Sequence, residues 1–99
     1  SGLRSTTNSL VGYLHLSNSG ESTRCGLIIN KSVGNSVIRH SVARKIRHII
    51  ADNLALLPAG SLLVIRALPA SNTADLKLEA TEVISKLVKK AEQKAAVKS

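Results

Sequence analysis

The sequence contains no phenylalanine, tryptophan or methionine, and Tyr13 is its only aromatic residue. A core without large aromatic side chains has to be built from leucine, isoleucine, valine and alanine. Apolar residues make up 43% of the 99 residues, which is typical of a packed domain and excludes a disordered tail. This length suffices for one modest core. We therefore expect a single domain over residues 1–99.

Cysteine is almost absent as well. Cys25 is the one cysteine, so no internal disulfide forms, and its apolar surroundings at 25–29 predict a reduced strand or core thiol. A catalytic thiol needs a neighbouring base, and the sequence places none beside it. There is neither an apolar run of the ~18 residues that cross a bilayer nor a signal-peptide pattern. We expect a cytoplasmic location and no membrane partner.

Acidic residues are also scarce. Only 6 Asp and Glu stand against 14 Lys and Arg, which leaves a formal charge of +8. Phosphate contacts gain free energy by releasing counterions, so a chain with this excess is expected to bind a polyanion, and nucleic acid above all. The imbalance is strongest between Arg24 and Asp52, where no acid occurs.

Hydrophobic patterning predicts three strands and two helices. The predicted strands are 10–16, 24–29 and 61–68, and the predicted helices are 36–57 and about 74–95. A polar turn at 17–22 suggests that the first two strands form an antiparallel hairpin, while the first nine residues lack periodicity. The order β-β-α-β-α predicts an α+β fold, in which a small sheet packs on helices that cover one face.

The expected N-caps follow from polar residues next to these helices. Gly34 allows a tight turn, after which Asn35 or Ser36 caps the first helix. Asn72 or Thr73 is the expected N-cap of the second helix.

The first predicted helix combines an apolar stripe with a basic ridge. The stripe, which we expect to face the sheet, consists of Val42, Ile46, Ile49, Ile50, Leu54 and Leu57. The basic ridge consists of His40, Arg44, Arg47 and His48, and the stripe is flanked by Arg39 and Lys45. A solvated helix normally mixes both charge signs to gain i,i+4 pairs. This helix instead carries like charges, whose repulsion a polyanion relieves.

The sequence offers little for catalysis or metal binding by its own side chains. His40 and His48 lie two turns apart with no cysteine or carboxylate beside them, so a zinc site is not expected. No nucleophile, base and acid share a segment, and no phosphate-binding P-loop occurs. A DNA-binding helix-turn-helix is excluded because a strand follows the basic helix. Two alternatives stay open: a general RNA-binding or ribosomal-protein-like module, and an enzyme that uses its own side chains.

Alternation in the strand predicted over 10–16 places Val11, Tyr13 and His15 on the side opposite its leucines. For Tyr13 the sequence leaves two interpretations. The ring stacks on a nucleotide base, or it packs on the sheet with its hydroxyl in water.

One segment carries a more specific pattern. Gly26 to His48, GLIINKSVGNSVIRHSVARKIRH, resembles the signature of the protein subunit of bacterial ribonuclease P, in its actinobacterial branch. The positions that fit the family pattern are Lys31, Gly34, Asn35, Val37, Arg39, His40, Val42, Arg44 and Arg47. The family often has cations at the positions of Ser32, Ser41 and Ala43. It also begins with an N-terminal helix that is absent here, so the chain resembles an N-terminally truncated form.

The resemblance implies a subunit of an RNA–protein endonuclease in which the RNA is the catalyst. The complex removes the 5′ leader from precursor tRNA by Mg²⁺-assisted hydrolysis, and this chain is expected to supply neither a catalytic side chain nor a metal ligand. The implied fold contains a left-handed βαβ crossover. The implied partners are the catalytic RNA and precursor tRNA, and not DNA.

The resemblance also implies two sets of site residues. Those expected to bind the catalytic RNA are Lys31, Asn35, Arg39, His40, Arg44, Lys45, Arg47 and His48. Those expected to line a cleft for the single-stranded leader are Val11, Tyr13, His15 and Arg66.

Overall fold

The computed structural model describes residues 2–16, 22–58, 60–72 and 75–98, with side chains described as far as residue 93. Within these ranges the chain forms four strands and two helices. The strands are β1 (Gly2–Thr6), β2 (Leu10–His15), β3 (Arg24–Ile29) and β4 (Leu62–Ala67), and the helices are α1 (Ser36–Asn53) and α2 (Leu76–Lys98). The predicted α+β class is confirmed, with the order β-β-β-α-β-α.

The strands form one mixed sheet in the order β1-β2-β4-β3. β2 is antiparallel to both β1 and β4, whereas β3 and β4 are parallel and connected through α1. The predicted hairpin between β2 and β3 is therefore wrong, because β4 lies between them. The sequence of β4 is more continuously apolar than that of β3, so β4 suits the central position, where both of its edges are paired. β3 lies at the edge of the sheet and exposes Arg24, Cys25 and Ile28. The predicted turn at 17–22 lies almost entirely outside the described residues.

β1 forms where the sequence shows no periodicity. Its pairing with β2 places Leu3 opposite Leu14 and Ser5 opposite Gly12. Leu3 packs against the core and Ser5 is buried, so the side chains of β1 alternate between the core and the solvent. Ser5 places a small hydroxyl at a position where an apolar residue is usual.

Both helices pack on one face of the sheet, as predicted. The fully buried large side chains of this core include Leu10, Leu14, Ile46, Leu63, Ile65, Val83, Ile84 and Leu87. α2 comes close to the sheet at Gly12, where an added Cβ would lie 2.3 Å from Cγ1 of Val83 and 3.0 Å from Cδ1 of Leu87. α2 therefore packs directly on the backbone of β2. Neither helix of the described ranges has an apolar stretch long enough to cross a membrane.

The end of α1 differs from the prediction. The helix ends at Asn53 rather than Leu57, and Nδ2 of Asn53 donates to the carbonyl oxygen of Ile49 at 2.8 Å. This side-chain bond competes with the backbone for the acceptor in the last turn. A 3₁₀ turn, Leu54–Leu56, follows. Leu54 is 43% exposed and does not belong to the apolar stripe, whereas Leu57 is buried as expected.

The start of α2 also differs. Its N-cap is Asp75, whose Oδ1 accepts from the backbone N of Leu78 at 3.2 Å. Asn72 instead donates from Nδ2 to the carbonyl oxygen of Val33 at 3.1 Å and so connects the segments that precede the two helices. Thr73, the other residue predicted as the cap, lies outside the described residues.

A carboxylate of α2 holds the turn between β1 and β2. Oε1 of Glu79 accepts hydrogen bonds from the backbone N of Ser9 at 3.0 Å and from its Oγ at 2.7 Å, and Ser9 is fully buried. The pKa of Glu79 is lowered, mainly by the hydrogen bond from the hydroxyl of Ser9. Desolvation acts in the opposite direction, and hydrogen bonds from Thr7 and from the backbone of Ser9 lower the pKa further.

We expect Glu79→Gln to reduce the free energy of unfolding by about 1 kcal/mol at pH 7, because a neutral amide accepts these bonds more weakly than a carboxylate. Since the pKa of Glu79 is lower in the folded state, its stabilising effect is fully present above the unfolded value of about 4.3. It is lost as the pH falls through the lower folded value. Urea unfolding at neutral and at acidic pH measures the difference.

Glu82→Gln is the matched control for this experiment. It removes only the exposed ion pair with Lys86 at 2.9 Å, so it should change stability little at either pH. Equal losses for the two variants at pH 7 would show that the bonds from Ser9 to Glu79 contribute nothing beyond a surface charge.

Candidate nucleic-acid interface

α1 begins at a glycine turn. Gly34 has a φ of +156°, which side chains rarely adopt, and an added Cβ would lie 2.8 Å from Cγ2 of Ile38. Asn35 is the N-cap, as predicted: its Oδ1 accepts from the backbone N of Ile38 at 3.0 Å. Asn35 thus has a structural function, and its contact with RNA stays a prediction. Lys31 is exposed in the preceding 3₁₀ turn, Lys31–Val33.

The buried side of α1 follows the predicted apolar stripe. The buried residues of the helix are Val42, Ala43, Ile46, Ile49 and Ile50. Ala43 is 8% exposed, whereas Ser32 and Ser41 reach the surface. Of the three positions that lack an expected cation, position 43 therefore belongs to the packing of the helix, and only positions 32 and 41 remove charge from an accessible surface.

The basic ridge lies on the exposed side of α1. Its four residues are all exposed, and one shallow depression of about 420 Å³ is lined by His40, Ser41, Arg44 and Arg47. The first acid in α1 is Asp52, near the end of the helix. The spacing of the basic residues therefore produces the predicted surface, which offers guanidinium forks suited to phosphate oxygens.

A groove of about 330 Å³ separates α1 from the edge strand β3. It is lined by Leu27, Ile29, Ser36, Arg39, His40, Ala43 and Arg47, and we call it the β3 groove. Nε of Arg39 is buried and makes no hydrogen bond within the described part of the chain. Leaving such a donor unpaired costs about 1–3 kcal/mol, which an anionic oxygen that enters the groove would recover. No acid is among the lining residues.

A second groove, of about 560 Å³, lies between α1 and the start of α2. It is lined by Arg44, Lys45, His48, Ile49, Asp52, Asp75, Leu76 and Lys77. Here the carboxylates of Asp52 and Asp75 offset the charges of the neighbouring cations. The positive potential of α1 is therefore stronger toward β3 than toward α2. The eight residues predicted to bind RNA all lie on α1 or in the turn before it. They do not form one site, because some face the β3 groove and others face the groove toward α2.

The sheet face opposite the helices is also basic. The pairing register places Arg66 of β4 opposite Val11, and Val64 opposite Tyr13. Val11, Tyr13, His15 and Arg66, the four residues predicted for the leader cleft, therefore share this face. Tyr13 is 39% exposed and Val11 only 6%, so Tyr13 supplies most of the accessible apolar surface among the four. We call this surface the open face.

Arg4 belongs to the open face and is not identified by the sequence patterns. It lies opposite Tyr13 across β1 and β2, with its guanidinium carbon 5.9 Å from the centroid of the tyrosine ring. Only recognition of β1 as a strand would have found this pair. Arg24 extends the positive charge onto β3, opposite Leu62. No Asp or Glu occurs in any of the four strands.

The described residues were also compared with the geometry that a metal ion requires. Among them, no three His, Cys, Asp or Glu side chains come close enough to hold a metal ion. The sequence predicts that Cys25 is a thiol either in a strand or in the core. It lies in the edge strand β3 and is exposed, so the strand alternative is the correct one. Desolvation raises its pKa, which is the direction opposite to that of an activated nucleophile.

The sequence is similar to those of known ribonuclease P proteins. The sequence model of the ribonuclease P family matches residues 1–92. The ribonuclease P protein component of Streptomyces avermitilis is 51% identical over 53 residues, which cover 54% of this chain and 43% of that protein. The protein of the same name from Mycobacterium sp. (strain KMS) is 45% identical over 76 residues, which cover 74% of this chain and 63% of that protein.

Solved structures share the fold. The RNase P protein of Staphylococcus aureus superimposes with a TM-score of 0.72 at 20% identity, covering 91% of this chain and 81% of that one. The RNase P protein from Thermotoga maritima also gives 0.72, at 17% identity, covering 89% and 83%. At these identities the likeness establishes the fold alone.

The alignments with the Streptomyces avermitilis and Mycobacterium proteins span less than two thirds of those proteins' length. The family assignment does not depend on that share, because the family pattern extends over nearly the whole chain and includes both α1 and the sheet. The chain belongs to the ribonuclease P protein family.

Proposed function

We propose that the chain is the RNA-binding subunit of a ribonuclease P, which removes the 5′ leader from precursor tRNA with an RNA as the catalyst. The observation that carries the proposal is the surface of α1. Its inner side packs in the core, and its outer side presents the basic ridge and the β3 groove without an acid before Asp52. A helix that bound no polyanion would gain stability from acids at these positions.

The two basic surfaces suit two different RNA segments. α1 lies on the covered side of the sheet and offers closely spaced cations, which fit the phosphates of a folded RNA. The open face lies on the other side and combines cations with one accessible aromatic ring, which fits the unstacked bases of a single strand. We assign the catalytic RNA to α1 and the leader of precursor tRNA to the open face.

The contribution of the protein is then electrostatic and positional. Catalytic RNA and leader are both polyanions, and a chain of charge +8 between them reduces their repulsion. The effect should be greatest when Mg²⁺ is scarce, because the ion and the protein neutralise the same phosphates. We assign the ion to RNA oxygens, which are the hard oxygen ligands that Mg²⁺ prefers, and the hydrolysis to the RNA.

A binding comparison tests this proposal against the alternative of a general RNA-binding module. The chain is titrated into an actinobacterial ribonuclease P RNA and into an unrelated structured RNA of equal length at the same salt concentration. We expect at least a tenfold preference for the ribonuclease P RNA, because a folded partner has to match both the ridge and the β3 groove. Equal affinities would favour the general module.

A further inference from the structure

The only acid of α1, Asp52, lies at a position where it does not stabilise the helix. It is exposed in the last turn of α1, next to the final residue Asn53. A negative charge is unfavourable there, because the C-terminal end of a helix already carries a partial negative charge. Asp52 forms no ion pair within the described residues. The stability of α1 therefore does not explain why an acid interrupts its basic surface.

Asp52 continues a row of basic side chains. Arg44, His48 and Asp52 follow one another at i, i+4 and i+8, so they lie on the same side of the helix. Arg44 lines both the depression along the basic ridge and the groove between α1 and the start of α2, which we call the α2 groove. An RNA that extends along the ridge past Arg44 therefore enters the α2 groove and meets Asp52.

A second acid lines the same groove at the start of α2. Asp75 is held in place as the N-cap, because its Oδ1 accepts from the backbone N of Leu78 at 3.2 Å. Lys45 and Lys77 also line the α2 groove, so it offers cations to a phosphate beside two carboxylates that repel one. The β3 groove has cations and no acid among its lining residues. The two grooves on either side of α1 therefore differ in their attraction for phosphate.

We propose that Asp52 and Asp75 determine the specificity of RNA binding by keeping phosphates out of the α2 groove. An RNA that matches the basic ridge and the β3 groove places its phosphates there and loses little from this repulsion. An unrelated RNA, which does not match that pattern, gains affinity from every cation that it reaches, and the two carboxylates reduce that gain. The proposal deepens the proposed function and rests on the assignment of the catalytic RNA to α1.

Asp52→Asn combined with Asp75→Asn tests the proposal and keeps the helix cap, because asparagine caps a helix as well as aspartate does. The variant is titrated into an actinobacterial ribonuclease P RNA and into an unrelated structured RNA of equal length over a series of salt concentrations. We expect it to bind the unrelated RNA roughly tenfold more tightly than the unmodified chain does, since each removed charge contributes roughly threefold. The slope of log affinity against log salt should become steeper for that RNA, because Lys45 and Lys77 gain phosphate contacts.

The matched control is Glu82→Gln combined with Glu92→Gln. It removes two negative charges from exposed positions of α2, and neither residue lines the α2 groove. We expect the control to bind the unrelated RNA at most about twofold more tightly, because salt screens charges that lie away from the bound phosphates. Both double variants should bind the ribonuclease P RNA with nearly the affinity of the unmodified chain. Circular dichroism checks that both are folded.

The outcomes distinguish this proposal from the proposed function. If the unmodified chain prefers the ribonuclease P RNA and the aspartate variant keeps that preference, the two acids do not determine specificity and the proposal is wrong, while the proposed function stands. If the aspartate variant and the control gain affinity for the unrelated RNA equally, only the net charge acts, which also overturns the proposal. If the unmodified chain binds both RNAs equally, the proposed function fails, and the proposal with it.

Discussion

Adding one methyl group at Gly12 should destabilise the protein by about 3 kcal/mol or more, a large part of the total stability of a small domain. The new Cβ would lie 2.3 Å from Cγ1 of Val83, a distance that real contacts do not show, and 3.0 Å from Cδ1 of Leu87. Both side chains are fully buried, so neither can rotate away without displacing its neighbours. We expect Gly12→Ala to force α2 away from the sheet.

Two further variants make this result specific. Gly26→Ala adds the same methyl group to another strand, where the Cβ would meet Cγ2 of Val64 at an ordinary 3.6 Å, and it should change stability little. In the background of Gly12→Ala, Val83→Ala removes the clashing methyl and should restore part of the lost stability, although Val83→Ala alone is destabilising. Urea unfolding followed by circular dichroism measures the unmodified chain and the four variants. Equal midpoints for Gly12→Ala and the unmodified chain would contradict the packing of α2 on β2.

Local patterns predict much of this fold. The apolar stripe of α1 has the helical period, and Val42, Ile46, Ile49 and Ile50 are buried as the period requires. The alternation in β2 correctly separates its two faces. Local patterns fail where the deciding contact is distant in the chain. Asp75 caps α2, while Asn72, an equally plausible cap, donates to the carbonyl oxygen of Val33, 39 residues away.

Strand order is the clearest example of this limit. The polar turn predicted at 17–22 favours a hairpin, yet β4 lies between β2 and β3, and its burial against two neighbouring strands outweighs the short connection. β1 escapes prediction because it places Ser5 in a buried position where the pattern expects an apolar side chain.

The same limit applies to the candidate site. The basic ridge lies within one helix, so its residues could be identified from their spacing. Arg4 comes next to Tyr13 only through the pairing of β1 and β2, and the acid-free β3 groove exists only because α1 packs beside β3.

The second large effect is expected for Arg44→Ala combined with Arg47→Ala. Both side chains line the depression along the ridge, and Arg47 also lines the β3 groove. Loss of two charge-assisted contacts to phosphate should weaken binding to the catalytic RNA roughly 100-fold. It should also reduce the slope of log affinity against log salt by up to about 2, because each lost phosphate contact contributes about one. Affinity measured over a series of salt concentrations gives both values.

The matched control is Lys86→Ala combined with Lys89→Ala. It removes the same charge from exposed positions of α2, the helix that does not carry the ridge. A loss of net charge alone would weaken both double variants equally. We expect the slope of the α2 variant to stay close to that of the unmodified chain. An unchanged slope for the arginine variant would show that the ridge does not contact phosphate.

The most direct test of the proposed function is the rate at which the ribonuclease P RNA cleaves precursor tRNA at low Mg²⁺. The assay compares the RNA alone, the chain alone, and the RNA with the unmodified chain or with either double variant. We expect the unmodified chain and the α2 variant to stimulate cleavage by the RNA, the arginine variant to stimulate it far less, and the chain alone to cleave nothing. Cleavage by the purified chain without RNA, or equal stimulation by all three proteins, would contradict the proposed function.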